Sequence, residues 1–265
     1  MSGNEETAVG LVELRELDIE LFHREFWRRR PVVWRGCADA FLSPALDWTD
    51  IEALERKLAD TPQQAADVHR REDGQVLFVN QAQRVMPELT EACATLAKRF
   101  GWDQCSADLS VTRGQGAGIG CHFDHSDNFV VQQQGSKDWL VGLPAHTSRE
   151  RRRKRMLETK GFVPSGRLPE TPFRVELMPG DVLYLPIFAP HEGSEGARDG
   201  GSVSVSFSYN AESALTRYVR PLLRRLSQEE TWWEPLPAGG GDLKVLEETL
   251  LRALRDVASE GEPCA

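Results

Sequence analysis

Apolar and polar residues alternate along this chain with two different periods, and the change from one to the other divides it. Residues 1–10 are polar. From Asp18 to Phe26 (DIELFHREF) the apolar positions fall at helical spacing, and Arg30-Pro31 should end that helix, because the residue before a proline avoids helical geometry. PVVWRG then reads as a short strand. DWTDIEALERKLAD sets Ile51, Leu54 and Leu58 on one helical face, with Thr49 or Asp50 as N-cap. VLFVN predicts a strand, and PELTEACATLAKRFG a helix closed by Gly101. Together these elements predict an N-terminal α/β cap over residues 1–106.

From Ala107 the period falls to two. Leu109-Ser110-Val111 leads into a glycine run (Gly114, Gly116, Gly118, Gly120). Phe129–Gln132 and Trp139–Gly142 read as a hairpin joined through QGSKD, followed by strands at Phe173–Leu177, Val182–Pro186 and Ser202–Tyr209. In SVSVSFSYN the alternation is strict: Val203, Val205, Phe207 and Tyr209 share one face, Ser202, Ser204, Ser206 and Ser208 the other. Short strands with turn residues between them suit a small antiparallel barrel, here a double-stranded β-helix over residues 107–210 in a mainly β protein with added helices. An insertion over 145–172 carries RERRRKRMLETKG. Its basic run Arg151–Arg155 reads first as a solvated helix face and otherwise as a lid or substrate-docking element at the barrel mouth. Beyond Asn210, ALTRYVRPLLRRLSQ and LKVLEETLLRALRDVA predict helices over 211–265, joined by PLPAGGGD. The stripe Leu243, Leu246, Leu250, Leu254 and Val257 needs cover from the barrel or a partner chain, and a homodimer is the expectation.

Composition narrows the class. At 265 residues the chain suits one large domain with appendages, and 40% hydrophobic content is enough for a core. A net charge of −9 argues against a nucleic-acid surface. No apolar run reaches membrane-spanning length, and MSGNEETAVG lacks the layout of a signal peptide. The five cysteines (Cys37, Cys93, Cys105, Cys121, Cys264) are odd in number and scattered, which fits a reducing cytoplasm. Strand alternation turns Cys121 away from its neighbour His122, as a small buried side chain.

The candidate chemistry lies in GIGCHFDHSDNFVVQQQGSKDW. His122 and Asp124, two residues apart, share a face of an extended strand and offer a neutral imidazole and a carboxylate to one cation. His191 follows the turn signal Pro179-Gly180-Asp181 in the proline-bounded run LYLPIFAPHEG. Two histidines and one carboxylate form the facial triad of non-haem Fe(II) oxygenases, with positions left open for co-substrate and dioxygen. His125, Ser126 and Asp127 either orient Asp124, touch substrate or cap a local turn. Among hydroxyls on the inner strands, Ser204 and Ser206 are candidate donors to a bound carboxylate.

HFDHSDNFVVQQQGSKDW, PGDVLYLPIFAPHEG, SVSVSFSYNA and the early WRRRPVVWRG resemble the JmjC oxygenases, in particular the cupin-4 group that includes ribosomal-protein hydroxylases. The resemblance covers roughly residues 15–215 and independently implies the double-stranded β-helix. It implies Fe(II) on His122, Asp124 and His191, and 2-oxoglutarate as co-substrate with dioxygen. It also implies Lys137 as the cation for the distal carboxylate and, from the strand before the glycine run, Thr112 or Ser110 as a further contact. The implied reaction hydroxylates an amino-acid side chain, in a ribosomal or other protein; a free amino acid, peptide or natural product is the alternative substrate. Dimerising helices in that group fall where the C-terminal helices lie here, and the group's winged-helix domain has no counterpart. A metal-binding cupin without redox chemistry is the reading from a different class, and Lys137 discriminates, since such a cupin has no need of a cation there.

Overall fold

A computed structural model describes residues 11–41, 44–60, 68–70, 74–113, 118–157, 166–195, 200–210, 218–232 and 243–260. Two compact units divide the chain at Ala211/Glu212. Among the described residues of the first, eleven strands form two sheets. The larger contains β1 (Val12–Leu14), β2 (Val32–Trp34), β3 (Val68–Arg70), β4 (Val76–Val79), β5 (Ser106–Thr112), β6 (Ser126–Gln134), β9 (Val182–Leu185) and β11 (Ser202–Asn210), in the order β1-β2-β9-β6-β11-β5-β4-β3. The smaller contains β7 (Lys137–Val141), β8 (Phe173–Leu177) and β10 (His191–Glu195), in the order β10-β7-β8. All pairings are antiparallel except β1 with β2.

Residue parity explains how the large sheet is covered on both sides. Phe129 and Val131 of β6, Val182 and Tyr184 of β9, Leu109 and Val111 of β5, and Val203, Val205 and Phe207 of β11 point outward into one core. That core is closed by α2 (Trp48–Asp60) through Ile51, Leu54 and Leu58, and by α3 (Pro87–Phe100) through Leu89, Cys93, Leu96 and Phe100. Phe22 sits at its centre, fully buried, with its ring edge-on to Tyr184 at 4.8 Å. Emptying so crowded a position costs on the order of 3–5 kcal/mol. The opposite parity faces the small sheet, where Val33, Val130, Leu183 and Leu185 meet Trp139, Val141, Val175 and Leu177 in a second core. A strand buried on both faces has no reason to alternate, and β9 is apolar throughout (VLYL).

Several elements differ in detail from expectation. The first helix forms as one turn, α1 (Ile19–Leu21), capped by Asp18 on the Leu21 N–H at 2.9 Å, and widens into a π-turn over Phe22–Phe26. Helix α2 starts at Trp48, two residues earlier than Thr49 as N-cap would have it and three earlier than Asp50. Asp47 caps it, accepting from the N–H groups of Thr49 (2.7 Å) and Asp50 (3.1 Å), while Asp50 returns a bond from the Asp47 N–H. The hairpin expected through QGSKD does not exist: β6 pairs with β9 and β11, β7 with β8 and β10. Gly135, in the left-handed region at φ 62°, turns the chain from one sheet to the other, so close to the Gly201 carbonyl that a Cβ would collide with it. Gly101 closes α3 at φ 69° as expected.

The insertion forms α4 (Arg149–Leu157). In the second unit lie α5 (Arg220–Leu226) and α6 (Lys244–Glu260), linked by Arg225 to Asp256 at 3.4 Å. Leu243, Leu246 and Leu250 are half-buried and Val257 buried, whereas Leu251, Leu254 and, on the α5 side, Leu223 remain exposed. Gly114, Gly116, the PLPAGGGD linker and Cys264 lie outside the described residues. Among the described residues no helix is long and apolar enough to cross a membrane.

Candidate metal and co-substrate site

His122 and His191 are cross-strand neighbours. Each backbone N–H donates to the other's carbonyl, at 3.0 and 2.8 Å, in an isolated antiparallel bridge. Residues opposed in this way project side chains to the same side, which brings the two imidazoles together from distant parts of the sequence. Gly118 allows the approach, because a Cβ there would strike the Gly193 carbonyl. Gly120, at φ 81°, turns the chain into His122.

Both rings are oriented by their rear nitrogens. His122 Nδ1 lies 2.9 Å from the Gly120 carbonyl and His191 Nδ1 2.9 Å from the Ala189 carbonyl. A carbonyl only accepts, so each Nδ1 carries the proton and each Nε2 presents a lone pair. Those Nε2 atoms stand 3.1 Å apart, and Asp124 Oδ2 lies 3.6 Å from that of His191. All three donors fall within 4.8 Å of one another. Ligands ~2.1 Å from a metal and at right angles to each other lie ~3 Å apart. The donor set therefore fits a divalent cation. Burial first, and then any positive charge on the neighbouring His122, lowers His191 to about 4 against the pull of Asp124, so its imidazole is neutral at pH 7. Burial would raise Asp124, but His122, His191 and Arg155 outweigh it and hold the carboxyl below its usual range.

Asn128 holds the carboxylate. Its Nδ2 donates to Asp124 Oδ2 at 2.9 Å, and its Oδ1 accepts from Ser208 Oγ (2.7 Å) and Ser126 Oγ (3.2 Å), which fixes the orientation of the amide. Sequence reasoning did not assign this residue a role. A signal existed: an asparagine within a strand, on the inward parity of β6, is unfavourable unless something uses its amide. Asp127 does not cap a local turn. Fully buried, it accepts from Tyr184 Oη (2.7 Å), the Ile187 N–H (3.1 Å) and Arg28 Nε (3.0 Å), and so ties the β9–β10 connection to the N-terminal segment. In that connection Phe188 adopts φ 66°, unusual for a side-chain-bearing residue, and donates its N–H to the Asp124 carbonyl at 2.9 Å.

Lys137 points into the space between the sheets, 5% exposed. Its Nζ donates to Ser110 Oγ at 3.1 Å and lies 5.3 Å from the Trp139 ring centre. Among the described residues no carboxylate pairs with it. Burial lowers its pKa to about 8. Gly193 leaves the room it occupies, since a Cβ there would come 3.0 Å from Lys137 Cε and from the Trp139 ring. Trp139 Nε1 is buried without a partner, its ring centre 5.9 Å from that of His191. Of the hydroxyl candidates, Thr112 and Ser204 are buried and Ser206 half-buried, all on the inward parity of β5 and β11, and Ser204 lies opposite Ser110. Ser110 is the one that touches Lys137. Cys121 is only half-buried, against Gly166.

The JmjC domain profile matches residues 79–216, more than half of the chain. A bifunctional lysine-specific demethylase and histidyl-hydroxylase NO66 of Drosophila willistoni is 25% identical over 229 residues, 78% of this chain and 29% of that protein. The ribosomal protein uL16 3-hydroxylase of Escherichia coli (strain K12) is 35% identical over 78 residues, 29% of this chain and 19% of that protein. The chain spans less than half the length of the curated relatives it matches. Among solved structures, YcfD, a ribosomal oxygenase from Escherichia coli, superposes over 94% of this chain and 68% of its own with a TM-score of 0.54 at 18% identity. YcfD in complex with cobalt and 2-oxoglutarate gives 0.52 at 20% identity, over 93% of this chain and 67% of its own. The fold is thus shared with these proteins, and by its sequence this chain belongs to the JmjC domain family.

Proposed function

We propose that this protein is an Fe(II)- and 2-oxoglutarate-dependent oxygenase that hydroxylates an amino-acid side chain within a protein. The observation that carries the reading is a buried Lys137, without a carboxylate partner among the described residues, in the same interior as the convergent donors of His122, Asp124 and His191. A metal alone would not require that lysine, and a buried ammonium with one hydroxyl partner lacks the anion that would compensate its burial. The non-redox cupin reading is disfavoured on this ground. Support also comes from relatives named as hydroxylases and from a structural neighbour described with cobalt and 2-oxoglutarate. A ribosomal protein is the substrate class those names suggest.

Fe(II) and 2-oxoglutarate held by these residues would supply oxidative decarboxylation of the keto acid by dioxygen to succinate and carbon dioxide, one oxygen atom of dioxygen entering succinate and the other the substrate C–H bond. The chain's own residues do the rest. His122 and His191 offer Nε2 lone pairs with their Nδ1 protons held on carbonyls, Asn128 keeps Asp124 turned toward them, and Lys137 takes the distal carboxylate. Ser110, Thr112, Ser204 and Ser206 line the polar side of the same interior. Val130, Trp139, Val175 and Leu185 exclude water from the other side.

A homodimer through the exposed Leu223, Leu251 and Leu254 of the second unit belongs to the same proposal, as does a cytoplasmic setting, which suits four described cysteines that are all free. Purified protein given Fe(II) and 2-oxoglutarate without oxygen should develop a visible charge-transfer band, and succinate should accumulate once air enters. His191→Ala and Asp124→Ala should lose both. A metal-loaded protein that shows neither band nor succinate overturns the proposal.

A further inference from the structure

Trp139 carries an N–H for which the described residues supply no acceptor. The residue is 7% exposed, and its Nε1 is buried without a hydrogen-bond partner. A phenylalanine would fill the same apolar space beside Val175 and Leu177 and leave no donor unsatisfied. An indole here therefore costs stability that packing alone does not recover. Trp34 and Trp102 also bury unpartnered N–H groups, but in a different setting. Both lie in the large apolar core, where their rings meet Phe41 at 5.2 Å and Phe100 at 5.1 Å. Trp139 instead stands between two groups that the chemistry uses.

Strand register places it there. On the inward parity of β7 and β10, His191 faces Val141 and Gly193 faces Trp139, with Lys137 one rung further along β7. Lys137 Nζ lies 5.3 Å from the indole ring centre, and the His191 ring centre lies 5.9 Å from it. A molecule held by the metal ligands at one end and by the ammonium at the other has to run along the indole. Gly193, opposite, adds no side chain to that path. A Cβ at Gly193 would come 3.0 Å from Lys137 Cε, 3.0 Å from Trp139 Cη2 and 3.1 Å from Cζ2. Cζ2 lies on the same edge of the indole as Nε1, so the lysine and that edge converge. One of the three ammonium protons goes to Ser110 Oγ. Those that remain, with the indole N–H, make a cluster of donors that lacks an acceptor among the described residues. A carboxylate, with two oxygens and no proton, supplies what such a cluster is missing.

We propose that Trp139 Nε1–H is a second donor to the distal carboxylate of the keto acid, beside Lys137, and that the two together select a dicarboxylic over a monocarboxylic 2-oxo acid. The inference rests on the oxygenase reading, from which it takes the co-substrate, and it gives the indole a task that water exclusion does not require.

Calorimetry on the full chain loaded with Zn(II) compares 2-oxoglutarate with 2-oxopentanoate, a chain of the same length with a methyl group in place of the distal carboxylate. Trp139→Phe should weaken 2-oxoglutarate about ten- to hundredfold, the range of one hydrogen bond to a charged group, and leave 2-oxopentanoate within about threefold. The wild-type protein gives an independent readout. In NMR spectra of protein carrying isotope-labelled tryptophan, the indole N–H signal absent from Trp139→Phe identifies Trp139, and it should move downfield when 2-oxoglutarate is added to the wild type. An unmoved signal, or undiminished 2-oxoglutarate affinity in Trp139→Phe, overturns the proposal. Equal loss for both keto acids assigns the indole to packing and overturns it as well. Where Trp139→Phe also loses Zn(II) affinity, the wild-type indole signal decides. Wild-type protein that binds Zn(II) but neither keto acid sinks the oxygenase reading itself, whereas 2-oxoglutarate binding with an unmoved indole signal sinks only the role of Trp139.

Discussion

His122 and His191 present their Nε2 lone pairs to each other at 3.1 Å, with both Nδ1 protons committed to backbone carbonyls. Two acceptors facing at that distance repel unless a cation lies between them, so metal binding and fold stability are linked. At about 100 times its dissociation constant a metal contributes about 2.7 kcal/mol, or roughly 5–10 °C in a unit of this size. A thermal melt with Mn(II) against one with EDTA should show that gap. Asp124→Ala and His191→Ala should close it while melting close to the metal-free wild type.

Asn128 is the outer partner whose loss should be felt at the metal rather than in the fold. Asn128→Leu removes the donor to Asp124, and Asn128→Asp sets a second carboxylate against the first. Outer partners of this kind are worth roughly 10–100-fold in metal affinity. Titration calorimetry with Mn(II) should find a loss in that range for Asn128→Leu and a larger one for Asn128→Asp. Unchanged affinity in both would reduce the Asn128–Asp124 bond to a packing contact.

How much of this was legible in the sequence depends on the range of the interactions. The expected strand begins only at Ser126, so His122 meets His191 through an isolated bridge and Asp124 lies in the irregular chain between, which local alternation could not show. The inward serines of β11 were legible because a period of two needs no tertiary knowledge. Helix α3 was legible through the same local logic, from Pro87 at its start to Gly101 at its end. The supposed β6–β7 hairpin was misleading, because a short glycine-containing link looks the same whether the chain doubles back within a sheet or crosses to another. Asp127 was misread for a related reason: its partners, Arg28, Tyr184 and Ile187, are 57 or more residues away, beyond any local pattern. Asn128 could have been suspected from its parity, but its use of Ser208 required β11 to lie beside β6.

Lys137 should give the affinity for 2-oxoglutarate a distinctive pH dependence. Its native pKa is about 8, below the ordinary 10.5, because of burial. Below pH 8 the lysine is charged in both the folded and unfolded states, and the full cost of burying the ammonium falls on the fold. Between 8 and 10.5 the folded protein has released a proton that the unfolded chain keeps, so stability of the metal-free, ligand-free protein rises with pH in that window. Anion binding has the opposite trend, since the complex needs the charged form. Affinity should therefore fall as pH climbs above 8, by up to about tenfold per unit. Lys137→Met should bind 2-oxoglutarate weakly with no slope, as read by calorimetry across this range.

Asp127 predicts a stability loss with a consequence at a distance. Asp127→Ala leaves the buried Tyr184 hydroxyl and the Ile187 N–H without their acceptor, at about 1–3 kcal/mol each. Urea unfolding should register a loss of roughly 2–5 kcal/mol. Because the same carboxylate fixes the connection leading into His191, metal affinity should fall as well, although Asp127 is not itself a ligand. Asp127→Asn keeps an acceptor and should recover part of both. If stability falls and metal affinity does not, the β9–β10 connection is held by Phe188 and Thr147 instead.

Gly193→Ala separates the co-substrate pocket from the metal centre. The added methyl would come 3.0 Å from Lys137 Cε and equally close to the Trp139 ring, tighter than ordinary contact. The indole is packed among Val141, Val175 and Leu177 on the apolar side, whereas the lysine ends on a single hydroxyl. The lysine is therefore the side that gives way. Its displacement moves the ammonium from the position in which a distal carboxylate would meet it, while Asn128 keeps its bond to Asp124 and His122 its bond to the Gly120 carbonyl. Affinity for 2-oxoglutarate should drop about tenfold or more, corresponding to the 1–3 kcal/mol typical of an overpacked interior. Mn(II) affinity, measured without keto acid, should stay within about a factor of two or three. Parallel loss of both affinities would mean that β10 shifts as a whole and carries His191 with it, in which case the two halves of the site cannot be varied independently.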